Sequence, residues 1–265
     1  MTVAILIAAA IAAGIAAWAM RERKPPVREP DLSGLPGACR VLEHEGSRHV
    51  VCELDPRSGR IVVRHADAGG KPYRSLDAFV SAMRTAGEPV SLAMNGGMYH
   101  EDMSPVGLLV EDGRELRPLT TGDGEGNFFL KPNGVFLIDA DGKAAVLETG
   151  AYLASGLHPR FATQSGPMLV IEGALHPRFL PDGESRHIRN GVGVRPDGMV
   201  VLAISLDPVS LGRFARLFRD SLDCPNALFL DGAISALSNG SRTLLGGKQP
   251  VGPIVAVMGA SEEAP

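Results

Sequence analysis

From Cys39 onward, apolar and polar positions alternate in short runs broken by glycine, proline and aspartate, a pattern that predicts β-strands joined by tight turns. The segment CRVLEHEGSRHVVC, Cys39 to Cys52, reads as two such runs around the turn signal Gly46-Ser47. Arg48 to Leu54 and Arg60 to Arg64 flank Asp55-Pro56-Arg57-Ser58-Gly59 as strand, turn, strand. Val106 to Val110 and Arg114 to Leu119 predict a hairpin turned at Glu111-Asp112-Gly113. Phe128 to Leu130 and Val135 to Asp139 flank a second hairpin signal, Lys131 to Gly134, and Asp141-Gly142 then leads into Ala144 to Glu148. Twice the period changes to three and four. Leu76, Phe79, Val80 and Met83 predict a short amphipathic helix over Ser75 to Thr85, and Leu211, Phe214, Ala215, Leu217, Phe218 and Leu222 a clearer one over Leu211 to Leu222. The expected fold class is α+β: mixed, largely antiparallel β-sheets with a few helices, as a single globular domain after an N-terminal hydrophobic helix.

That first helix is a separate object. Thr2 to Met20 is apolar or small at nearly every position and as a helix would span about 28 Å, close to the thickness of a bilayer core. A signal peptide cleaved after Ala17-Trp18-Ala19, an uncleaved anchor, and a translation start at Met20 all fit. The anchor is favoured, because the basic cluster Arg21-Glu22-Arg23-Lys24 follows the apolar run and none precedes it. The division expected is an anchor or signal over residues 1–20, a proline-rich tether over 21–37 and a domain over 38–262.

Composition narrows the class of partner. The 265 residues are 45% hydrophobic, enough for a sizeable core, and the 32 glycines fit many short turns. A net charge of −4 with both signs interspersed leaves no basic stripe, so nucleic acid is not an expected partner. Cys39 and Cys52 could face each other across the hairpin as a disulfide, which would place the domain outside the cytoplasm, or stand as two small buried strand residues. The positive-inside rule alone argues for the cytoplasm. Cys224, between Asp223 and Pro225, reads as a packed thiol.

Candidate chemistry gathers at the ends of apolar runs. SLAMNGGMYHEDMSPVG, Ser91 to Gly107, ends a strand in Asn95-Gly96-Gly97 and follows it with Tyr99, His100, Glu101 and Asp102. Adjacent glycines allow positive φ and close approach to a ligand, and the polar residues supply donors, acceptors and titratable groups. Gln164 precedes a turn forced by Gly166-Pro167, which would set it facing a pocket. Arg186 and Arg189 flank His187 before Asn190-Gly191, a pattern that could grip a phosphate or equally form a solvated loop. Asn226 to Leu230 is an apolar strand delivering Asp231-Gly232, with Ser235 beyond, and Lys248 in the last glycine-rich loop could add a cationic contact. Asp207, Asp231, Glu101 and Asp102 are hard oxygen ligands that could hold Ca²⁺ or Mg²⁺, although no fixed ligand spacing is present and the scattered histidines form no zinc signature.

In order and spacing, Asn95-Gly96-Gly97-Met98-Tyr99, Gln164-Ser165-Gly166-Pro167-Met168, Arg189-Asn190-Gly191-Val192-Gly193 and Leu230-Asp231-Gly232 resemble the phosphodiester glycosidase family over about Cys39 to Ala260. The family includes a lysosomal enzyme that removes N-acetylglucosamine from a sugar phosphodiester. Asp231-Gly232-Ala233-Ile234-Ser235 departs from the Asp-Gly-Gly-Gly-Ser pattern of the animal enzyme, and the chain is more similar to the bacterial branch. The resemblance implies a hydrolase acting on a sugar-1-phosphodiester outside the cytoplasm, with no cofactor required and a divalent cation as an option. Asp231 would be nucleophile or general base, with Glu101 or Asp102 as the partner carboxylate. Arg186 and Arg189, with Lys248, would neutralise the phosphodiester. Asn95 and Gln164 would bond sugar hydroxyls, and Tyr99 would stack on the ring or donate to a phosphoryl oxygen. Gly96, Gly97, Asn190 and Ser235 complete the expected substrate site. A carbohydrate-binding envelope module without turnover is the alternative.

Overall fold

In the computed structural model, which describes residues 29–232 and 234–259, the alternating runs become three antiparallel sheets. One has the order β1 (Cys39–His44), β2 (Ser47–Leu54), β13 (Val200–Ser205), β12 (Asn190–Val194), β14 (Asn226–Phe229), β10 (Met168–Ile171), β11 (Ala174–Leu175). The second runs β16 (Thr243–Leu245), β15 (Leu237–Ser238), β4 (Val90–Asn95), β17 (Ile254–Met258), β3 (Ile61–Arg64). The third runs β6 (Arg114–Arg117), β5 (Leu109–Glu111), β9 (Phe161–Ser165), β7 (Gly134–Ile138), β8 (Ala144–Glu148). The mixed pairing expected from the sequence resolves into antiparallel pairing at every ladder among the described residues.

The period of two explains how one sheet feeds two cores. On β2 and β13, Val50, Cys52, Leu202 and Ile204 point into a central cluster shared by all three sheets, where they meet Leu92, Met94, Phe136, Phe161 and Ile254. The intervening Val51, Val201 and Ala203 point the other way, against Phe214, Leu217 and Phe218. A strand buried on both faces must be apolar throughout, and β13 (VVLAIS) is buried at all six positions.

Three helices are present among the described residues. In α1 (Leu76–Thr85), the Ser75 hydroxyl accepts from Ala78 N and the Leu76, Phe79 and Val80 side chains are buried, as the periodicity predicts. α2 (Thr149–Ser155) has no such signal and is started by Glu148, whose carboxylate accepts from Gly150 N and Ala151 N. α3 (Leu211–Arg216) is capped by Ser210 and continues as a π turn over Leu217–Ser221, which together match the predicted Leu211 to Leu222 segment.

Two sequence expectations change. Phe128 to Leu130 is not a strand: Asn127–Phe129 forms a 3-10 turn with Phe128 buried, and the Asn133 amide donates to its carbonyl at 2.9 Å. The hairpin there is absent because both edges of β7 are taken, by β8 and β9. Strands β2 and β3, although joined by a tight turn, enter different sheets. Ahead of β1, Leu32 and Leu35 pack against the central core. The N-terminal apolar segment lies outside the described residues, among which no helix is long and apolar enough to cross a membrane. Cys39 and Cys52 stand opposite each other in the β1–β2 ladder and form a disulfide.

Candidate active site

The strand ends carrying the sequence motifs meet at one buried residue. Asn95, the last residue of β4, is 1% exposed, and every polar atom of its side chain is used. Its amide nitrogen donates to the Asp231 carbonyl at 2.7 Å, while its amide oxygen accepts from Ala236 N at 2.8 Å and from the Asn190 amide at 3.0 Å. The Asn190 amide also donates to the Asn95 carbonyl at 2.8 Å. Main-chain bonds close the arrangement: Asp231 N donates to Gly96 O at 3.1 Å, Leu230 N to Asn190 O at 3.1 Å and Gly96 N to Pro253 O at 2.6 Å. The end of β4, the start of β12 and the exit of β14 are thereby clamped together with Asp231 at the junction. Ser235 stands at its edge, its hydroxyl 3.2 Å from Ile188 O and 3.4 Å from the Asn190 amide oxygen.

The adjacent glycines serve close approach, not positive φ. Neither Gly96 nor Gly97 has a left-handed backbone, whereas a Cβ on Gly97 would lie 2.6 Å from both the Gln164 carbonyl and the Thr163 hydroxyl. Gln164 is therefore a neighbour of the site, but its side chain faces away from it. Its oxygen accepts from Leu108 N at 3.0 Å and Thr120 N at 2.9 Å, and its nitrogen donates to Thr120 O at 2.7 Å and to the Thr149 hydroxyl at 3.2 Å. All four hydrogen-bonding positions of the amide are filled inside the protein, so the expected pocket-facing amide is found holding the two ends of the 108–120 segment that carries β5 and β6.

The titratable residues beyond the glycines are held more loosely. Tyr99 rests on Gly252, where a Cβ would meet the ring at 2.6 Å, and its hydroxyl donates to Pro250 O at 2.6 Å. Burial first, and the nearby charge of Asp231 second, raise the Tyr99 pKa and keep the phenol protonated. Asp102 accepts from the Ser104 backbone and hydroxyl at 2.9 and 2.6 Å, and these bonds hold its carboxyl below the usual range. Glu101 is exposed and makes no hydrogen bond or ion pair with a described residue.

The expected cations divide. Arg189 is 3% exposed; its Nε donates to Val209 O at 2.8 Å, one Nη to Ser185 O at 2.9 Å, and the guanidinium lies 5.4 Å from the centre of the Phe229 ring. Burial pulls its pKa down to about 10, so it remains charged near neutrality. Arg186 and Lys248 are exposed and bond to no described residue. A residue the sequence did not single out joins the neighbourhood: Arg74, at φ +64°, bridges Val251 through the backbone, and its charge partly offsets that of Asp231 at Tyr99. No sequence signal marks it, because its position depends on a left-handed turn that a non-glycine residue adopts only under tertiary constraint.

The hard-oxygen ligands do not assemble as a metal site. Asp207 is held by Arg48, whose Nη2 and Nε donate to its two oxygens at 2.8 and 3.1 Å. Among the described residues no group of three or more His, Cys, Asp or Glu side chains stands together. Cys224 is buried against Gly193 and Phe218, and burial pushes its thiol up to about 12, consistent with a packed, inert sulfur.

Comparison with known proteins places this geometry. Over 182 residues the chain is 36% identical to the uncharacterized protein YigE of Escherichia coli (strain K12), covering 69% of this chain and 70% of that one. The fold is similar to the zebrafish N-acetylglucosamine-1-phosphodiester alpha-N-acetylglucosaminidase catalytic domain auto-inhibited by its pro-peptide, with a TM-score of 0.61 and 15% identity over 83% of this chain and 81% of that chain. A hypothetical protein from Synechocystis matches with a TM-score of 0.51 and 15% identity, over 83% of this chain and 61% of that chain. At those identities the two structures speak for the fold alone. Residues 88–258, which contain Asn95, Gln164, Arg189 and Asp231, match the family model for phosphodiester glycosidase. The chain belongs to the phosphodiester glycosidase family.

Proposed function

We propose that this chain is a hydrolase that cleaves the bond between an anomeric carbon and phosphate in a sugar 1-phosphodiester. The observation that carries the reading is the Asn95 clamp, which fixes Asp231 between two strand ends in a family whose members are phosphodiester glycosidases. Asp231 acts as nucleophile or as the base that takes a proton from water. The anomeric C–O bond breaks, its electron pair leaves with the phosphate, and water supplies the oxygen of the free sugar. A phosphate monoester is a stable anion, so leaving requires charge neutralisation more than a strong acid.

Placement supports the following roles. Asn95, Asn190, Ser235 and Gln164 act from behind the site, holding the strand ends and the β5–β6 hairpin in position. The Gly96-Gly97 backbone and Tyr99 meet the sugar. Arg189 supplies the cation for the phosphoryl group, with Arg186 and Lys248 contributing from exposed positions. Glu101 suits the second carboxylate better than Asp102, whose charge is already stabilised by Ser104. The substrate is an envelope or exported glycan, and the domain lies outside the cytoplasm on an N-terminal anchor; the Cys39–Cys52 disulfide supports this placement, because such bonds persist in oxidising compartments.

The test is hydrolysis of an alkyl N-acetylglucosamine 1-phosphate by wild type and by Asp231→Asn. Release of the sugar by wild type and its loss in the variant are expected. Saturable binding of the diester with no product from wild type would favour a binding module over an enzyme.

A further inference from the structure

Beside the Asp231 loop opens a pocket of about 330 Å³, bounded by the 127–130 turn, the 178–189 segment and the start of α3. It reaches the Asn95 clamp through the chain, since Arg189 lines the pocket and the next residue, Asn190, belongs to the clamp. Gly232 packs on the Phe229 ring that Arg189 overlies, and the Ser235 hydroxyl bonds the carbonyl of Ile188, the residue before Arg189. Arg189 lines the pocket as a buried guanidinium that meets no carboxylate: two of its nitrogens are satisfied by backbone carbonyls, and the third bonds nothing among the described residues. The third nitrogen keeps access to the pocket, where an anion can meet it with a charge-assisted bond. Arg178, His187 and Ser185 share the lining, so two arginines face one carboxylate, that of Glu184.

The remaining wall is apolar. Phe179, Leu180 and Leu211 line it together with Leu130, and Leu180 is 73% exposed, so its side chain is accessible to a ligand. Its position is built in: Gly212 brings α3 so close to the Leu180 and Pro181 carbonyls that no side chain would fit between them. The volume lies within the range of roughly 300–1,000 Å³ common to small-molecule sites, which leaves space beyond a tetrahedral anion.

We propose that this pocket binds the phosphoryl group of the substrate together with the alcohol esterified to its far oxygen. Arg189 and Arg178 meet the anion, and Phe179, Leu180 and Leu211 meet the alcohol. The substrate class selected is a sugar 1-phosphodiester whose second ester group presents an alkyl or aryl face. The assignment of the anion as the leaving phosphate rests on the hydrolytic reading above; the affinity of the pocket for an aryl phosphate does not.

Calorimetric titration of the full chain in detergent with phenyl phosphate and with inorganic phosphate tests it. Phenyl phosphate is expected to saturate at one site and to bind about tenfold more tightly than inorganic phosphate, as about 1.4 kcal/mol of apolar contact gives. Arg178→Ala should weaken both ligands about tenfold, the effect of losing one charge-assisted bond. Leu180→Ser should remove most of the preference for phenyl phosphate and leave inorganic phosphate unchanged. Both residues are exposed, so the variants are expected to fold. Absence of saturation in wild type, or titrations of the two variants that overlay wild type, overturns the proposal. Binding as expected without hydrolysis of any sugar 1-phosphodiester would retain the pocket and remove the enzymatic reading.

Discussion

Asn95 and Glu101 are six positions apart, yet they sit in opposite physical settings. Asn95 is buried with every side-chain polar atom bonded, its partners drawn from β12, the exit of β14 and the approach to β15. The His100 to Ser104 loop is held by its own atoms: His100 N to Ser104 O at 2.8 Å, Met103 N to His100 O at 2.8 Å, and Asp102 to Ser104. The hydrogen bonds of one region are long-range, while those of the other lie within five residues, with Met103 as its buried anchor. The backbone of Asp231 is fixed by the first region, whereas Glu101 and Asp102 are exposed side chains on the second. In the hydrolytic reading proposed above, the difference favours Asp231 for the demanding chemical step and a secondary role for the loop.

The largest effect should come from chemistry at the fixed region. Asp231→Asn is expected to lower the rate of sugar 1-phosphodiester hydrolysis by about a thousandfold or more while thermal unfolding stays close to wild type. A variant of near-normal rate would show that the clamped position is structural only. Asn95→Ala, in contrast, should destabilise the fold by about 4 kcal/mol in urea unfolding, because it leaves the Asp231 carbonyl, Ala236 N and the Asn190 amide short of partners at once. A cost under about 1 kcal/mol would mean the clamp is replaceable by water.

Acid should separate the satisfied centre from an unsatisfied one. His49 is fully buried against Phe214 with neither ring nitrogen bonded, and burial lowers its pKa from 6.5 to about 4. Its folded pKa lies below the unfolded one, so the unfolded chain takes the proton first. Stability is complete above pH 6.5 and falls as pH drops toward 4, by about 3 kcal/mol in all. His49→Phe should flatten that slope in urea titrations between those pH values; an unchanged slope would assign acid sensitivity to another group. At the loop, Glu101→Gln is expected to slow hydrolysis about a hundredfold, in the range of lost general acid–base assistance. The smallest effect belongs to Asp102→Asn, about fivefold or less, as its carboxylate is engaged by Ser104. The reverse order of the two would exchange their roles.

Much of the frame was legible because it depends on local pattern. The β1–β2 hairpin and its cysteine pair, helix α1, and the delivery of Asp231-Gly232 by an apolar strand all follow from periodicity and turn residues. The strand ends named by the motifs, Asn95, Asn190 and Asp231, do come together. What was not legible depends on partners distant in the chain. Whether the Gln164 amide faces ligand or protein is decided by Leu108, Thr120 and Thr149, which nothing near residue 164 specifies. The Phe128 segment carries the apolar run of a strand and becomes a turn because β7 pairs elsewhere. Arg74 enters the site through backbone geometry alone, and Arg189 reads as half of a solvated basic loop until the fold buries it while leaving Arg186 outside.

The central claim is that the bond broken lies on the sugar side of the phosphate. Hydrolysis of an alkyl N-acetylglucosamine 1-phosphate in water labelled with heavy oxygen tests it by mass spectrometry of the phosphate product, since the anomeric oxygen of the free sugar exchanges with water by itself. Cleavage at the anomeric carbon predicts an alkyl phosphate free of label. One labelled oxygen in the phosphate would show attack at phosphorus and contradict the account.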